Sequence, residues 1–346
     1  MAEVLVIEPF GGGSHRSLYQ QWSACSQHRF VTWELPAVHW KWRCRHAGLT
    51  FAERAKDTRQ QLSSIELVFC SSMLNVAEWR GLAPTTIAGV PHICYFHENQ
   101  LTYPLTPGEK PDYHIGYSNI LNLLAAEYCW FNSQYHLDEF RLAADNWLTR
   151  MPDFGHRAAV AKAFERAKVI PPGISGPNLT NTMDSTLPSQ RTGCLGWVSR
   201  WEHDKQPEQF VRCVEKLDAS GCEFSLILLG QNYAADKHFQ YLNSRFGHRI
   251  LHAGFVEDRD QYWKLLSQVD FVVSAAKHEF FGLGVIEAVS AGAIPILPRR
   301  LAYPEVFCLD QHPERRQFFY DPSQDELADV VKRNLLASED EKLIML

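Results

Sequence analysis

The chain has 346 residues, of which 45% are hydrophobic, 21% are charged and 12% are aromatic. This composition is typical of a globular protein of about two domains and excludes disordered, collagen-like and mucin-like chains. The net charge of -6 argues against a generally basic surface for nucleic acid. However, residues 1–172 carry 16 basic and 16 acidic residues, so the first half is the better candidate for contact with a polyanion.

No apolar run approaches the ~20 residues that a membrane-spanning helix requires. The start of the chain is acidic where a signal peptide has a basic region, so we expect a cytoplasmic protein without a membrane partner. Nine cysteines are scattered along the chain and are never spaced as C-x-x-C. Neither a zinc site nor a disulfide framework is indicated, and most of the cysteines are expected to be small buried hydrophobes.

Short β-branched and apolar runs alternate twice with longer runs at helical spacing, which predicts an α/β protein with two doubly wound parallel sheets. The strands predicted in the first half are residues 4–7, 30–33, 67–70, 92–96, 130–132 and 169–170. Those of the second half are residues 194–198, 224–229, 250–253, 271–274 and 294–297.

The alternation places one Rossmann-like domain at 1–172 and another at 192–346. A linker rich in Ser, Thr and Pro is expected over 173–191. Such sheets hold ligands on the loops at their carboxyl ends, so a ligand in a cleft between the domains is expected.

A glycine-rich loop follows the first predicted strand, with Gly11, Gly12 and Gly13 ahead of Ser14 and His15. Glycines allow the backbone to approach an anion, and Ser14 could cap the helix that follows. A tight turn without a ligand explains the loop equally well. The spacing fits neither G-x-G-x-x-G nor the P-loop, which disfavours a dinucleotide dehydrogenase and a P-loop NTPase.

Two cations, Arg200 and Lys205, lie on the loop after the strand at 194–198. They could clamp a diphosphate, Arg200 as a fork and Lys205 as a point charge. From spacing alone, a solvated loop in which Arg200 pairs with Glu202 or Asp204 is the favoured interpretation.

The strongest pattern is the stretch at 277–288, which carries Glu279 and Glu287 around Phe281 and Gly282. It predicts a loop after the strand at 271–274 and a helix that starts near Gly282. The loop would direct one carboxylate and a set of backbone N–H groups into the cleft. By residue type alone, two glutamates on a helix surface remain an alternative.

Together, Arg200, Lys205 and the Glu279-x7-Glu287 motif resemble the retaining family 4 glycosyltransferases of the GT-B fold, over nearly the entire chain. The resemblance implies that Arg200 and Lys205 bind the sugar-nucleotide diphosphate, that Glu279 contacts the transferred sugar and that Glu287 contacts the ribose. The donor-binding residues that it implies are Gly12, Gly13, Arg200, Lys205, His278, Phe281, Gly282, Leu283 and Glu287.

Five motifs carry a narrower resemblance, to the tRNA-queuosine alpha-mannosyltransferase family. They are Ile7-Glu8-x-Phe10-x-Gly12-Gly13-Ser14-His15, Leu35-Pro36-Ala37-x2-Trp40-x-Trp42-Arg43, Tyr95-Phe96-His97-Glu98-Asn99-Gln100-Leu101-x-Tyr103-Pro104, Arg200-Trp201-Glu202-His203-Asp204-Lys205 and Ala276-Lys277-His278-Glu279-Phe280-Phe281-Gly282. This family transfers mannose from GDP-mannose to queuosine at the wobble position of tRNA-Asp. The resemblance therefore implies a tRNA anticodon stem-loop as partner and GDP-mannose as donor.

His97 follows the strand at 92–96, where a histidine can hydrogen-bond a sugar hydroxyl or a backbone carbonyl near the reacting carbon. With the resemblance, His97 and Glu279 are the expected catalytic residues. Glu98 could orient His97 or could be a structural carboxylate. The expected acceptor or tRNA contacts are His15, Trp40, Lys41, Trp42, Arg43, Arg45, Glu98, Asn99 and Gln100.

The dense basic and aromatic cluster at 40–46 supplies cations for phosphates and flat faces for unstacked bases. Taken in isolation, the cluster is better interpreted as partly buried tryptophans with cations beside them. A second basic set is read as the solvated face of a helix that could hold a tRNA stem. It consists of Arg157, Lys162, Arg166 and Lys168.

The resemblance implies a same-face transfer in which the leaving diphosphate accepts the acceptor proton. It also implies that Arg200, Lys205 and the N–H groups near Gly282 stabilise charge on the departing diphosphate in place of a metal, so no metal or other cofactor is expected to be required. Three alternatives stay open: transfer to a lipid or small-molecule acceptor, a non-catalytic tRNA-binding module, and a GT-B epimerase or phosphorylase.

Overall fold

The computed structural model describes residues 1–106, 108–174, 176, 193–231 and 236–337. The chain forms two compact units, Met1–Gly173 and Ile174–Leu346. Except for residues 173, 174 and 176, the predicted linker lies outside the described residues. Among the described residues, no helix has both the length and the apolar content needed to cross a membrane.

The first unit is built on a parallel sheet of six strands in the order β2-β1-β3-β4-β5-β6. Its strands are β1 (Glu3–Gly11), β2 (Arg29–Pro36), β3 (Leu67–Ser71), β4 (His92–Phe96), β5 (Tyr128–Phe131) and β6 (Ala167–Val169). Its α-helices are α1 (Gly13–Cys25), α2 (Trp40–Asp57), α3 (Val76–Leu82), α4 (Thr85–Ala88), α5 (Tyr113–Ala125), α6 (Gln134–Leu148) and α7 (Arg157–Phe164).

The second unit has a parallel sheet of six strands in the order β12-β11-β10-β7-β8-β9. Its strands are β7 (Cys194–Val198), β8 (Ser225–Leu229), β9 (Ile250–Gly254), β10 (Phe271–Val273), β11 (Ile294–Pro298) and β12 (Phe319–Tyr320). Its α-helices are α8 (Pro207–Ala219), α9 (Lys237–Phe246), α10 (Arg259–Leu266), α11 (Leu283–Ser290), α12 (Tyr303–Val306) and α13 (Leu327–Leu336).

Helices cover both faces of each sheet, so the central strands are almost wholly apolar. All five residues of β4 and of β7 are buried. Helix α8 shows how the helices dock: Phe210, Val214 and Leu217 recur on one face, and each is at most 1% exposed. Pro207, at the first position of α8, suits a helix start because its missing N–H has no partner there in any case.

The sheets confirm the predicted doubly wound α/β fold, and every predicted strand is present with small shifts at its ends. The sequence patterns missed β12, which has only two residues. The expected cap at Ser14 is wrong, because α1 begins at Gly13 with Gly12 as its N-cap. The second basic set does not share one helix either, because Lys168 lies on β6.

Both strand orders reverse direction next to the first strand of their sheet. In the first unit, β1 lies between β2 and β3, and in the second β7 lies between β8 and β10. In doubly wound sheets, ligands bind beyond the carboxyl ends of the strands at such a switch point. The loops after β1, β7 and β10 are therefore the places to look for a site.

Candidate functional site

A buried lysine joins the two loops at the switch point of the second unit. Lys205 lies at the end of the loop after β7, and its Nζ donates to the carbonyl oxygen of His278 at 2.8 Å. The same Nζ lies 3.2 Å from Oε2 of Glu279 and 3.1 Å from Oδ2 of Asp204. A backbone hydrogen bond from Lys277 N to Asp204 O, at 2.7 Å, ties the loops together beside this contact. The sequence motif is thus one connected polar cluster.

The charges of this cluster stabilise one another. Burial lowers the pKa of Lys205, but the carboxylates of Glu279 and Asp204 more than offset that effect, so its pKa is raised and it stays a cation. Burial raises the pKa of Glu279, but the Lys205 charge and hydrogen bond outweigh it and the net pKa is lowered. Glu279 is therefore a carboxylate at neutral pH, able to accept hydrogen bonds from a sugar.

Backbone N–H groups lie next to Glu279 at the start of α11. Gly282 is the N-cap of this helix with φ 87°, and no side-chain cap is present among the described residues. Gly284 lets the helix approach β7, because a Cβ there would lie 2.8 Å from the carbonyl oxygen of Val198. Phe281 N donates to Oε1 of Glu279 at 3.3 Å. A helix start of this kind favours negative charge such as a phosphate.

Glu287 lies one to two turns further along α11 and is 4% exposed. Arg259 donates to its Oε1 at 2.8 Å, and the Tyr262 hydroxyl donates to its Oε2 at 2.8 Å. Each carboxylate oxygen keeps one further lone pair, so Glu287 could still accept a hydrogen bond from a ligand.

Arg200 lies on a solvated loop and pairs with Glu202, as the alternative interpretation of the sequence predicted. Its Nη1 lies 3.4 Å from Oε2 of Glu202, and its side chain is 46% exposed. Burial lowers the pKa of His278 to about 4, with the Lys205 charge acting in the same direction, so this imidazole is neutral at pH 7. The structure thus brings Lys205, His278, Glu279, Phe281 and Gly282 together around one loop.

At the switch point of the first unit, two histidine rings stack on each other. The rings of His15, in the first turn of α1, and His97, after β4, have centroids 4.0 Å apart and planes 23° apart. Nδ1 of His15 lies 3.2 Å from Oε2 of Glu8. Burial lowers the pKa of His97 well below its ordinary value, and His15 and His136 add to that effect. His97 is accordingly a neutral imidazole.

The residues after His97 form a turn built by Asn99. Oδ1 of Asn99 accepts from the backbone N–H groups of Leu101 and Thr102, both at 3.1 Å. Asn99 is fully buried, so its side chain shapes this turn, and its contact with the acceptor or tRNA stays a prediction. Gln100 donates from Nε2 to Oε1 of Glu98 at 2.8 Å, and both residues are partly exposed.

The glycine-rich loop is shaped by packing against β2. A Cβ on Gly11 would lie 2.7 Å from Oε2 of Glu34, and one on Gly12 would lie 2.6 Å from Cβ of Ala37. Gly13 has φ 52°, in the left-handed region. These contacts favour the tight-turn interpretation for Gly11 and leave Gly12 and Gly13 as backbone at the start of α1.

Helix α2 presents only part of the predicted basic and aromatic cluster. Trp42 is 59% exposed, whereas Trp40 packs beside a buried group that includes Cys44. Lys41 pairs with Glu109, and Arg45 pairs with Asp112. Nε of Arg43 donates to the carbonyl oxygen of Pro36 at 3.2 Å. Two cations of the cluster are therefore paired with carboxylates, and Trp42 is its most exposed ring.

Several contacts of these sites were not predicted. Asp204, Arg259 and Tyr262 hold Lys205 and Glu287, and Glu8 contacts His15. Glu8 follows an apolar run and stands in the first motif of the resemblance, but neither feature indicates its partners. Its partners come from distant parts of the chain, so the pairing could not be read from spacing.

Solved structures that share this fold are distant in sequence. Anabaena HepE in complex with UDP is 17% identical, with a TM-score of 0.63 over 100% of this chain and 93% of that chain. The N-terminal domain of Candida albicans trehalose-6-phosphate phosphatase is 11% identical, with a TM-score of 0.69 over 100% and 91% of the chains. At these identities the likeness shows the fold.

Residues 183–344 match the family described as glycosyl transferases group 1. The fold and this match define a glycosyltransferase of the GT-B class, which confirms the predicted fold and enzyme class. Residues 3–174 match the N-terminal family of tRNA-queuosine alpha-mannosyltransferase. The Drosophila melanogaster tRNA-queuosine alpha-mannosyltransferase is 33% identical over 318 residues, which are 88% of this chain and 81% of the relative. The chain belongs to the tRNA-queuosine alpha-mannosyltransferase family.

Proposed function

We propose that this protein transfers mannose from GDP-mannose, with retention, to queuosine at the wobble position of tRNA-Asp. The observation that carries the proposal is the similarity to the Drosophila melanogaster tRNA-queuosine alpha-mannosyltransferase, which matches 88% of this chain. The second unit would hold the donor and the first unit the RNA. We also propose that the protein works in the cytoplasm.

The donor roles follow from the charges of the second unit. Lys205 and the N–H groups at the start of α11 would stabilise negative charge on the departing diphosphate, and Arg200 would move from Glu202 to a phosphate. Glu279, held as a carboxylate by Lys205, would accept hydrogen bonds from the sugar hydroxyls. Glu287 would accept one from the ribose. These groups supply the charge stabilisation that a metal supplies in other transferases, so we expect activity to persist in EDTA.

The acceptor roles follow from the first unit. The neutral imidazole of His97 could hydrogen-bond a sugar hydroxyl near the reacting carbon. The exposed face of Trp42 would stack on an unpaired base of the anticodon loop, and Arg43 would contact phosphate.

The test is incubation of purified protein with GDP-mannose and queuosine-containing tRNA-Asp, followed by mass analysis of the digested nucleosides. We expect one added hexose on queuosine with the wild type and at least about a 100-fold lower rate with Glu279→Gln. The control is Glu257→Gln, which changes an exposed carboxylate on the loop after β9 and should leave the rate unchanged. Transfer from UDP-glucose in preference to GDP-mannose, or equal rates for both variants, would contradict the proposal.

A further inference from the structure

The carboxylate of Glu8 is buried at the switch point of the first unit, where it accepts two hydrogen bonds and lies beside His15. It is 2% exposed. Its Oε1 accepts from Phe10 N at 2.8 Å and from the Ser71 hydroxyl at 2.9 Å. Its Oε2 lies 3.2 Å from Nδ1 of His15. Phe10 belongs to the end of β1, Ser71 to the end of β3 and His15 to the first turn of α1, so the carboxylate contacts three elements at one point.

A carboxylate suits this place better than an amide does. Its Oε2 places negative charge 3.2 Å from Nδ1 of His15, whereas a glutamine could place an NH₂ donor there. The charge of Glu8 therefore favours the tautomer of His15 that carries its proton on Nδ1, and it attracts that edge of the ring.

The ring of His15 in turn fixes His97. The two rings stack at 4.0 Å, and Tyr95 lies on His97 at 4.7 Å with planes 56° apart. The backbone of His97 is held as well, because Asn132 Nδ2 donates to its carbonyl oxygen at 2.9 Å. With its backbone pinned and aromatic rings against it, the His97 imidazole has one favoured orientation.

We propose that Glu8 and His15 are positioning residues that hold the His97 imidazole in its reactive orientation. The inference rests on the proposed function, in which His97 contacts the substrate. Glu8 fixes the His15 ring, and that ring supplies the flat face that keeps His97 from rotating. Positioning matters because a small misplacement of a reacting group can lower a rate by about 100-fold.

A metal ion is the other occupant to consider, since one ligand atom from each of Glu8, His15 and His97 lies within 4.8 Å of the others. The stacking of the His15 and His97 rings argues against a bound metal ion. A metal ion lies in the plane of each imidazole that binds it, because the nitrogen lone pair lies in that plane. Two rings whose centroids are 4.0 Å apart and whose planes differ by 23° cannot both contain one nearby ion.

The test compares transfer kinetics of Glu8→Gln, His15→Ala and His15→Phe. We expect kcat to fall about 10-fold or more for Glu8→Gln and His15→Ala, with KM for GDP-mannose within about 2-fold of wild type, in protein that thermal unfolding shows to be folded at the assay temperature. His15→Phe should recover part of the kcat lost in His15→Ala, because it restores a flat ring. The matched control is Glu34→Gln, at the residue paired with Glu8 on β2, whose carboxylate contacts Arg16 and Tyr19 instead.

Equal kcat for His15→Ala and His15→Phe, an equal fall for Glu34→Gln, or a loss confined to KM would overturn the proposal. So would Zn²⁺ or Mn²⁺ binding that Glu8→Gln abolishes. Wild-type protein without mannosyl transfer would contradict the proposed function instead. The positioning would then be tested by NMR of histidine-labelled protein, with His97 assigned through His97→Gln. A ring-current shift of the His97 signals that His15→Ala removes supports the stack, and its absence in the wild type refutes it.

Discussion

Lys205 shows how a single side chain organises the second unit. Its side chain is 11% exposed and is shared between the carboxylates of Asp204 and Glu279. Removing one partner of a buried ion pair is costly because the remaining charges stay out of water without compensation. This residue therefore links the stability of the loops to their expected donor chemistry.

We predict that Lys205→Met lowers the free energy of unfolding by about 3 kcal/mol, measured by urea denaturation. The control is Lys216→Met. Lys216 pairs with Glu326 at 2.8 Å, but their side chains are 49% and 37% exposed. That surface pair should contribute less than about 1 kcal/mol. Equal losses of unfolding free energy in the two variants would show that the buried cluster contributes no more to stability than a surface ion pair.

At the scale of the element, helix α11 depends on close contact with β7. We predict that Gly284→Ala lowers the free energy of unfolding by about 1 to 3 kcal/mol, because its Cβ would press on the backbone of Val198. Gly81→Ala, in α3, has open space around its Cβ and should raise stability by about 0.5 to 1 kcal/mol. Thermal unfolding of both variants checks the sign, and stabilisation by Gly284→Ala would refute the contact.

Helix α2 supports a prediction about RNA. Trp42→Ala should weaken tRNA binding by about 10-fold without loss of stability, because an exposed ring offers stacking of roughly 1 to 3 kcal/mol per base. Arg43→Gln should weaken binding and reduce its dependence on salt concentration, as expected for one lost phosphate contact.

The measurement is tRNA affinity at two salt concentrations, with thermal unfolding alongside. Trp40→Ala is the matched control, since Trp40 packs against the buried group near Cys44 and its loss should lower stability. Unchanged affinity in both Trp42→Ala and Arg43→Gln would remove α2 from the RNA surface.

At the scale of the whole molecule, buried histidines should set the stability at mildly acidic pH. His92 is fully buried; its Nε2 accepts from Trp79 Nε1 at 2.9 Å, and its Nδ1 lies 2.6 Å from the carbonyl oxygen of Val90. Burial lowers the pKa of His92 to about 4, and burial lowers that of His278 to about 4 as well. These two imidazoles therefore stay unprotonated in the folded chain at pH values at which they are protonated in the unfolded chain, where the pKa of a histidine is about 6.5.

The free energy of unfolding is therefore highest above pH 6.5 and decreases as the pH falls toward 4. Each proton taken up on unfolding should cost up to about 1.4 kcal/mol per pH unit. Urea denaturation between pH 7.5 and 4.5 measures this fall, and a free energy of unfolding that stays constant over that range would contradict it.

Sequence patterns predicted the sheets because each central strand is a continuous apolar run, as at 92–96 and 194–198. They missed β12, because a two-residue strand has no periodicity to detect. They could not tell that Trp40 is packed and Trp42 exposed, since both lie in one cluster. The contacts of Glu8 with Ser71 and His15 depend on strand order, which spacing does not encode.

Mannosyl transfer from GDP-mannose to queuosine is tested most directly by nucleoside analysis of total tRNA that has been incubated with the protein and a mixture of nucleotide sugars. We predict that one hexose is added only to queuosine, that GDP-mannose alone supplies it, and that α-mannosidase removes it. A hexose on another nucleoside, or a hexose drawn from another donor, would contradict the account.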